Sequence, residues 1–231
     1  MQIFGEAAEQ YDLGRPGYAG QLVPEVLAYA GTGTRTAVEV GAGTGKATVP
    51  FTAAGVAVTC VEPDPRMAAV LRRNAPGARI VVSTFDAWRP DAAYDLLYAA
   101  TAWHWVAADR QWDLAHAALA PGGSVALFWN PQGVLDPAVL AALAEVDRRI
   151  GIEDAPHATA ATAYGPAAGD WSGPVGWPAA SCSDDGRFTD LRSHRFRQET
   201  RYPTARYLDF LASVSSYRML PAATLERALT D

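Results

Sequence analysis

From residue 36 onward, five short apolar runs rich in β-branched residues recur with helical periodicity between them, and this alternation constrains the fold more than any other feature. The runs are Thr36 to Val40, Ala57 to Glu62, Arg79 to Ser83, Asp95 to Ala99 and Val125 to Trp129. Strands apolar almost throughout are covered on both faces, as in parallel sheets built from βαβ units. Right-handed crossovers then leave an open, doubly wound α/β sheet as the simplest topology. Between the second and third runs, Asp64-Pro65 followed by Met67, Val70 and Leu71 announces a helix: an N-cap acid, a proline at the first helical position, then apolar residues on one face. Pro121-Gly122-Gly123 is expected to stop the helix that holds Trp112 and Leu119.

Other segments lie outside the alternation. Leu22, Val26, Leu27 and Ala30 stand at helical spacing between Gly17 and Gly31, and a second helical pattern runs from Asp136 to Gly151. Ala155 to Asp185 is rich in Gly, Pro, Ser and Ala and carries Trp171 and Trp177, the profile of a lid, a binding loop or a linker. Ser193 to Tyr202 has strand spacing and Thr204 to Ser216 helical spacing. One more short helical pattern follows Pro221, with no β-rich segment after it. The expected division is therefore an N-terminal helical lid over 1–35, an α/β core over 36–130, a helix and flexible cap over 131–187, and a sixth strand with C-terminal helices over 188–231.

Composition narrows the function classes. The 231 residues are 49% apolar, enough for a core without staples. A net charge of −6 repels nucleic acid and anionic membrane alike. The arginines from Arg187 to Arg206 are interrupted by acids and suit a solvated strand face. Cys60 and Cys182 are far apart without ligand-spaced partners, which excludes a metal cluster built on them. With no apolar run of bilayer length and no signal-like start, the cytoplasm is the expected location.

Val38-Glu39-Val40-Gly41-Ala42-Gly43-Thr44-Gly45 joins a strand directly to a helix. Glycines there allow a tight turn and close approach of backbone to ligand, and a helix N-terminus presents unpaired N–H groups, so a nucleotide-like ligand is expected at the carboxyl edge of the sheet. Glu62 ends the second strand, where a carboxylate can accept from both hydroxyls of a ribose. Asp86 follows the third strand, placed to accept from an exocyclic amine while Phe85 packs near the ring. Glu39, two residues before the first glycine, suits a ligand with an ammonium group and would repel a pyrophosphate.

These residues resemble a class I S-adenosylmethionine-dependent methyltransferase, in particular the small-molecule branch of trans-aconitate methyltransferase-like proteins. The resemblance is carried by Glu39 to Gly45, Val61 to Asp64, Phe85-Asp86, Tyr94 to Leu96, Trp103-His104-Trp105 and Pro121 to Gly123. Phe4, Ala8, Tyr11-Asp12 and Arg15 to Tyr18 extend it toward the N-terminus. It implies a Rossmann-like sheet that here lacks its usual seventh strand, leaving an open edge that invites association and keeps a homodimer in view. It also implies S-adenosyl-L-methionine as cofactor. Gly41, Gly43 and Gly45 would lie along its methionine and ribose parts with Glu39 near the amino group, Glu62 on the ribose, Pro63 and Met67 on the adenine, and Asp86 with Phe85 at the other adenine edge. Ala100 and Thr101 would sit beside the methionine portion, and Tyr11 and Arg15 would close over the methyl from the N-terminal helix.

Methyl transfer needs no protein nucleophile: holding the acceptor about 3 Å from the methyl, in line with sulfur, can contribute roughly 7–11 kcal/mol. Tyr11, Trp103 and Trp105 are candidates for an aromatic wall facing the sulfonium. His104 follows the fourth strand, where it could take or orient the acceptor's proton; with Tyr11 it makes the catalytic pair. The expected activity is methylation of a small molecule, with oxygen favoured. Two alternatives stand: a protein that binds S-adenosylmethionine without transferring its methyl, and an NAD-dependent oxidoreductase, which would want the last glycine one residue later and no acid before the first.

Overall fold

The computed structural model of the chain describes residues 8–152 and 178–230, so that most of the Gly/Pro/Ser/Ala-rich stretch, with Trp171, Trp177 and His157, lies outside the described residues, as does Phe4. They divide into two compact units. One comprises Gly17–Trp129 with the described part of Asp170–Glu199; the other comprises the described parts of Met1–Pro16, Asn130–Gly169 and Thr200–Asp231. This differs from the division expected from sequence: residues 17–35 belong with the sheet, whereas the helix of residues 137–150 belongs with the C-terminal helices.

The first unit is built on five parallel strands: β1 (Thr36–Val40), β2 (Ala57–Glu62), β3 (Arg79–Val82), β4 (Tyr94–Ala100) and β5 (Leu119–Phe128), in the order β3-β2-β1-β4-β5. The doubly wound expectation holds. α3 (Thr48–Ala53) follows β1, α4 (Pro65–Asn74) follows β2 and α5 (Gln111–Ala118) follows β4. One sheet face packs Ala37, Val58, Cys60, Leu96 and Tyr98 with Phe51 of α3, Leu71 of α4, and Leu22 and Val23 of α2 (Leu22–Ala30). The other packs Val38, Val40, Val61, Leu97 and Ala99 with Trp112 and Ala115 of α5 and with Phe85, Trp88 and Trp103. Alternate residues of each strand thus serve opposite faces, and both faces are covered.

Local chemistry sets the element ends. Asp64 caps α4, accepting from Arg66 N at 2.8 Å, with Pro65 at the first helical position. α5 ends at Ala118 and β5 begins at the next residue, so the helix stops earlier than Pro121-Gly122-Gly123 suggests. That triplet lies in a register shift where β5 opposes Tyr94 and Leu96; a Cβ at Gly123 would stand 3.0 Å from Tyr94 O. At the amino edge Asp95 joins the two central strands: its Oδ2 accepts from Arg35 N (2.8 Å), Thr36 N (2.9 Å) and Thr36 Oγ1 (3.0 Å). These backbone donors, Arg35 N first, hold its carboxyl below the usual range.

The sixth strand expected over Ser193 to Tyr202 is a correction: this segment forms no ladder, and neither a sixth nor a seventh strand occurs among the described residues. Phe196 reaches the apolar cluster of the sheet and Tyr202 that of the second unit, while Arg197 pairs locally with Glu199 at 2.7 Å. Two anchors that go to different clusters do not make one strand face.

The second unit packs α1 (Ala8–Gly14), α6 (Pro137–Ile150), α8 (Thr204–Ala212), α9 (Ser215–Arg218) and α10 (Ala222–Thr230) around Ile152, Phe210, Leu211, Tyr217 and Ala228; α7 (Ala179–Asp185) belongs to the first unit. Asp136 caps α6, and Gly151 ends it in the left-handed conformation, as the sequence pattern foresees. Tyr217 donates to the buried Asp147 at 2.7 Å. Among the described residues no helix is long and apolar enough to cross a membrane.

Because one Asp95 oxygen gathers donors from the start of β1, Asp95→Ala should lower unfolding stability by about 1–3 kcal/mol, read as a shift in urea midpoint at unchanged slope.

Candidate functional site

The sheet order reverses at β1: the chain steps outward through β2 and β3, then returns to the other side of β1 as β4. Successive connections leave the carboxyl edge toward opposite faces, opening a crevice between the ends of β1 and β4. The segments after β1, β2, β3 and β4 all emerge at this edge, and they carry the residues singled out from sequence.

Gly41, Gly43 and Gly45 all have positive φ (66°, 58° and 92°). At Gly41 a Cβ would lie 2.6 Å from Ala102 Cβ, so the absence of a side chain lets the turn close against the segment after β4. At Gly43 a Cβ would meet no protein atom within 4 Å; this is the open side of the turn. The N–H groups point inward, Gly41 to Val61 O (2.8 Å), Gly43 to Glu62 Oε2 (2.7 Å) and Gly45 to Ala42 O (3.0 Å). The following helix is only six residues long and starts at Thr48. The turn itself, not the expected helix N-terminus, thus directly follows β1 at this edge.

Glu62 is buried with both carboxylate oxygens engaged: Oε2 accepts from Gly43 N and Oε1 from Asp64 N at 2.9 Å. Burial pushes its pKa up, opposed by those two backbone donors. Each oxygen retains a further lone-pair direction for a ligand donor. Asp86 is half-buried and accepts from Ala107 N at 3.2 Å, tying the segment after β3 to the one after β4.

Glu39 departs from expectation. It is only 1% exposed and lies within the sheet, on the face of Tyr98 and Cys60, so an open approach to a ligand ammonium is not what the structure gives it. Thr48 Oγ1 (2.5 Å) and Tyr98 O–H (2.9 Å) both donate to Oε2, whereas Oε1 is buried without a hydrogen-bond partner among the described residues. Burial pushes its carboxyl up to about 8; the Thr48 and Tyr98 hydrogen bonds oppose the rise and nearby Glu62 adds to it.

Thr101, the first residue past β4, has φ +59°, donates its N–H to Phe128 O (2.8 Å), and pairs its hydroxyl with Tyr18 O–H at 3.1 Å. Ala100 before it is half-buried. Trp103, His104 and Trp105 form a single 3₁₀ turn. Trp103 is fully buried against Trp112 and Phe85, so its place in a sulfonium-facing wall is corrected to core packing. Trp105 is 53% exposed and lies against exposed His104 with centroids 4.7 Å apart and the rings tilted by 42°. Partial burial lowers the His104 pKa, favouring neutral imidazole at pH 7.

Phe85 is likewise embedded, 5% exposed beside Trp88 and Trp103, and Met67 is buried, whereas Pro63 is exposed at the β2 edge. Tyr11 and Arg15 belong to the second unit. There the Arg15 guanidinium sits 5.3 Å from the Tyr11 ring and 5.4 Å from Phe210, and donates to Ser213 O at 3.2 Å. Sequence reasoning missed Ala102 and Tyr18. The only signal for Ala102 is its small size next to Thr101, and Tyr18 stands at the end of Arg15-Pro16-Gly17-Tyr18 without a chemical pattern of its own.

Residues 38–127 match a family model described as a methyltransferase domain. Relatives include uncharacterized methyltransferases of Mycobacterium bovis and of two Mycobacterium tuberculosis strains, each 35% identical over 128 residues that cover 55% of this chain and 51% of the relative. The chain thus spans about half the length of the curated relatives it matches. Similar solved structures include the CcbJ methyltransferase from Streptomyces caelestis (25% identity, 55% of this chain and 57% of that one, TM-score 0.47). Another is a putative S-adenosyl-L-methionine-dependent methyltransferase from Methanococcus maripaludis (15% identity, 64% and 73%, TM-score 0.49).

The raised Glu39 pKa carries a pH dependence of definite sign. The folded chain holds this proton up to about pH 8, whereas the unfolded chain releases it near 4.5, so stability from this group is full below 4.5 and falls as pH rises toward 8. The slope from one such group is at most about 1.4 kcal/mol per pH unit. Urea melts of Glu39→Gln between pH 5 and 8 should be flatter than those of the parent; parallel curves would show that the carboxyl titrates normally.

Proposed function

We propose that the chain, whose residues 38–127 match a methyltransferase domain, binds S-adenosylmethionine in the crevice between β1 and β4 and transfers the methyl to a small-molecule acceptor, most readily at oxygen. The observation that carries this reading is the glycine turn, open above Gly43 and braced by Glu62 at the switch point of the sheet. The residues fit the group. The missing Cβ at Gly43 leaves a cradle for ligand, Glu62 has lone pairs for ribose hydroxyls, and half-buried Asp86 can accept from the adenine amine. Pro63 offers an exposed ring edge beside that carboxylate for the base to pack on, and Thr101 stands on the opposite lip.

When bound, the cofactor supplies an electrophilic methyl group on a positively charged sulfonium. The protein's part is to hold, orient and exclude water. His104, neutral at pH 7, can take the proton of a hydroxyl acceptor; a carboxylate acceptor needs no base, and His104 would then orient it. Trp105 beside it supplies an exposed aromatic face. A net charge of −6 favours a small molecule over a nucleic acid as acceptor.

Calorimetry with S-adenosylhomocysteine against NAD tests the reading: the former should bind and the latter should not, and the reverse would sink it. Glu62→Ala and Asp86→Ala should each weaken S-adenosylhomocysteine binding by about 1–3 kcal/mol, Glu62→Ala more because the turn loses its brace. His104→Ala should lower tritiated-methyl incorporation into a hydroxyl acceptor by about 10²-fold or more while leaving S-adenosylhomocysteine affinity within about threefold. Equal losses in both would assign His104 to binding alone. Tight cofactor binding with no methyl incorporation across a panel of phenols and carboxylic acids would favour a binding protein without transfer.

A further inference from the structure

α5 presents two stripes of side chains. Gln111, Trp112, Ala115 and Ala118 are buried, whereas Arg110, just before the helix, is followed at i+3, i+4 and i+7 by Asp113, Leu114 and Ala117, which share a second face. Between that face and the segment after β3 lies a cavity of about 330 Å³, at the lower end of the range for small-molecule sites. Phe85 and Trp88, 5% and 7% exposed, form its apolar floor with Pro90 and Leu114, and Arg89 and Arg110 stand exposed at its rim. Gly43, Glu62, Asp86 and Thr101 do not line it, so it is distinct from the crevice between β1 and β4.

The charge around this cavity is one-sided. Its one acid, Asp113, already has a cation, with Arg187 Nη2 2.7 Å from its Oδ1. Arg89 is held in place: its Nη1 donates to Asp86 O (3.0 Å) and Trp88 O (2.8 Å), while its Nε and Nη2 have no hydrogen-bond partner among the described residues. The Arg110 guanidinium has none among them either. A guanidinium presents its donors as a planar fork that matches a carboxylate, and a fork already fixed at one corner loses little freedom in binding one. Two such cations above an apolar floor complement a molecule with an aromatic or aliphatic body and a single negative end. We propose that this cavity binds a small amphipathic carboxylic acid, its body against Phe85, Trp88 and Leu114 and its carboxylate between Arg89 and Arg110. The site stands on its own geometry and does not rest on the cofactor assigned to the crevice.

The probe is 3-phenylpropionate, with 3-phenylpropanol as the same body without the charge and acetate as the charge without the body. NMR titrations followed at the Trp88 indole N–H should give 3-phenylpropionate a Kd of about 1 mM or tighter, and the alcohol and acetate values at least about tenfold weaker. Arg110→Gln should bring the acid down to the alcohol's affinity, and Ala117→Trp, which fills the cavity from an exposed helix position, should abolish the shift. Both substitutions change exposed side chains, and urea midpoints check that each variant is folded. Saturating S-adenosylhomocysteine should not displace the acid. Equal affinities for acid and alcohol, no shift at Trp88 up to about 20 mM acid, undiminished binding to Arg110→Gln, or displacement by S-adenosylhomocysteine would each overturn the site. A protein that takes up the acid but not S-adenosylhomocysteine would leave this site standing while removing the methyltransferase reading.

Discussion

The Glu62 carboxylate is the interaction on which the site depends. It is the last residue of β2, yet it bonds the N–H of Gly43 in the turn after β1 and the N–H of Asp64 in its own loop. Two loops that emerge side by side at the edge of a parallel sheet have no ladder to hold them together, and a buried charge spanning two backbone donors supplies that link. Asp95 does the corresponding work at the amino edge, joining β1 and β4 through Arg35 and Thr36. Each central strand pair is thus pinned by a side chain at one end.

Glu39 and Glu62 are both buried and both pushed upward in pKa by desolvation, and Glu62 adds to the cost of ionising Glu39. An adenosyl sulfonium brings positive charge to such an edge, whereas a pyrophosphate brings the opposite. Thr48 and Tyr98 hold the Glu39 carboxyl within the sheet as a buried, largely protonated group, so it brings little negative charge to that edge.

Much of this was legible in the sequence because it is local. β1 and β2 have the bounds that β-branched runs suggest, Asp64-Pro65 opens a helix as capping chemistry requires, and three glycines mark a turn of positive φ. What was not legible depends on direction and depth. A strand's period of two tells which residues share a face, not how deep a side chain on that face will lie, and Glu39 was read as open to ligand although Tyr98 and Thr48 enclose it. Phe85 and Trp103 stand next to ligand-edge residues in sequence but turn into the core, because no helix joins β3 to β4 and large rings cover that face instead. Tyr18 is separated from Thr101 by most of the sheet unit, and nothing in its own neighbourhood signals that pairing.

One contact of the glycine turn reaches past the crevice. Gly45 backs onto α4 so closely that a Cβ there would fall 2.6 Å from Leu71 Cδ1. The two positions therefore share one fixed volume, and because Gly45 sits at φ +92° a smaller residue 71 would not by itself let the turn take a side chain. The core packing of α4 is in this way tethered to the backbone of the turn, and residue 45 is held to glycine from two sides at once.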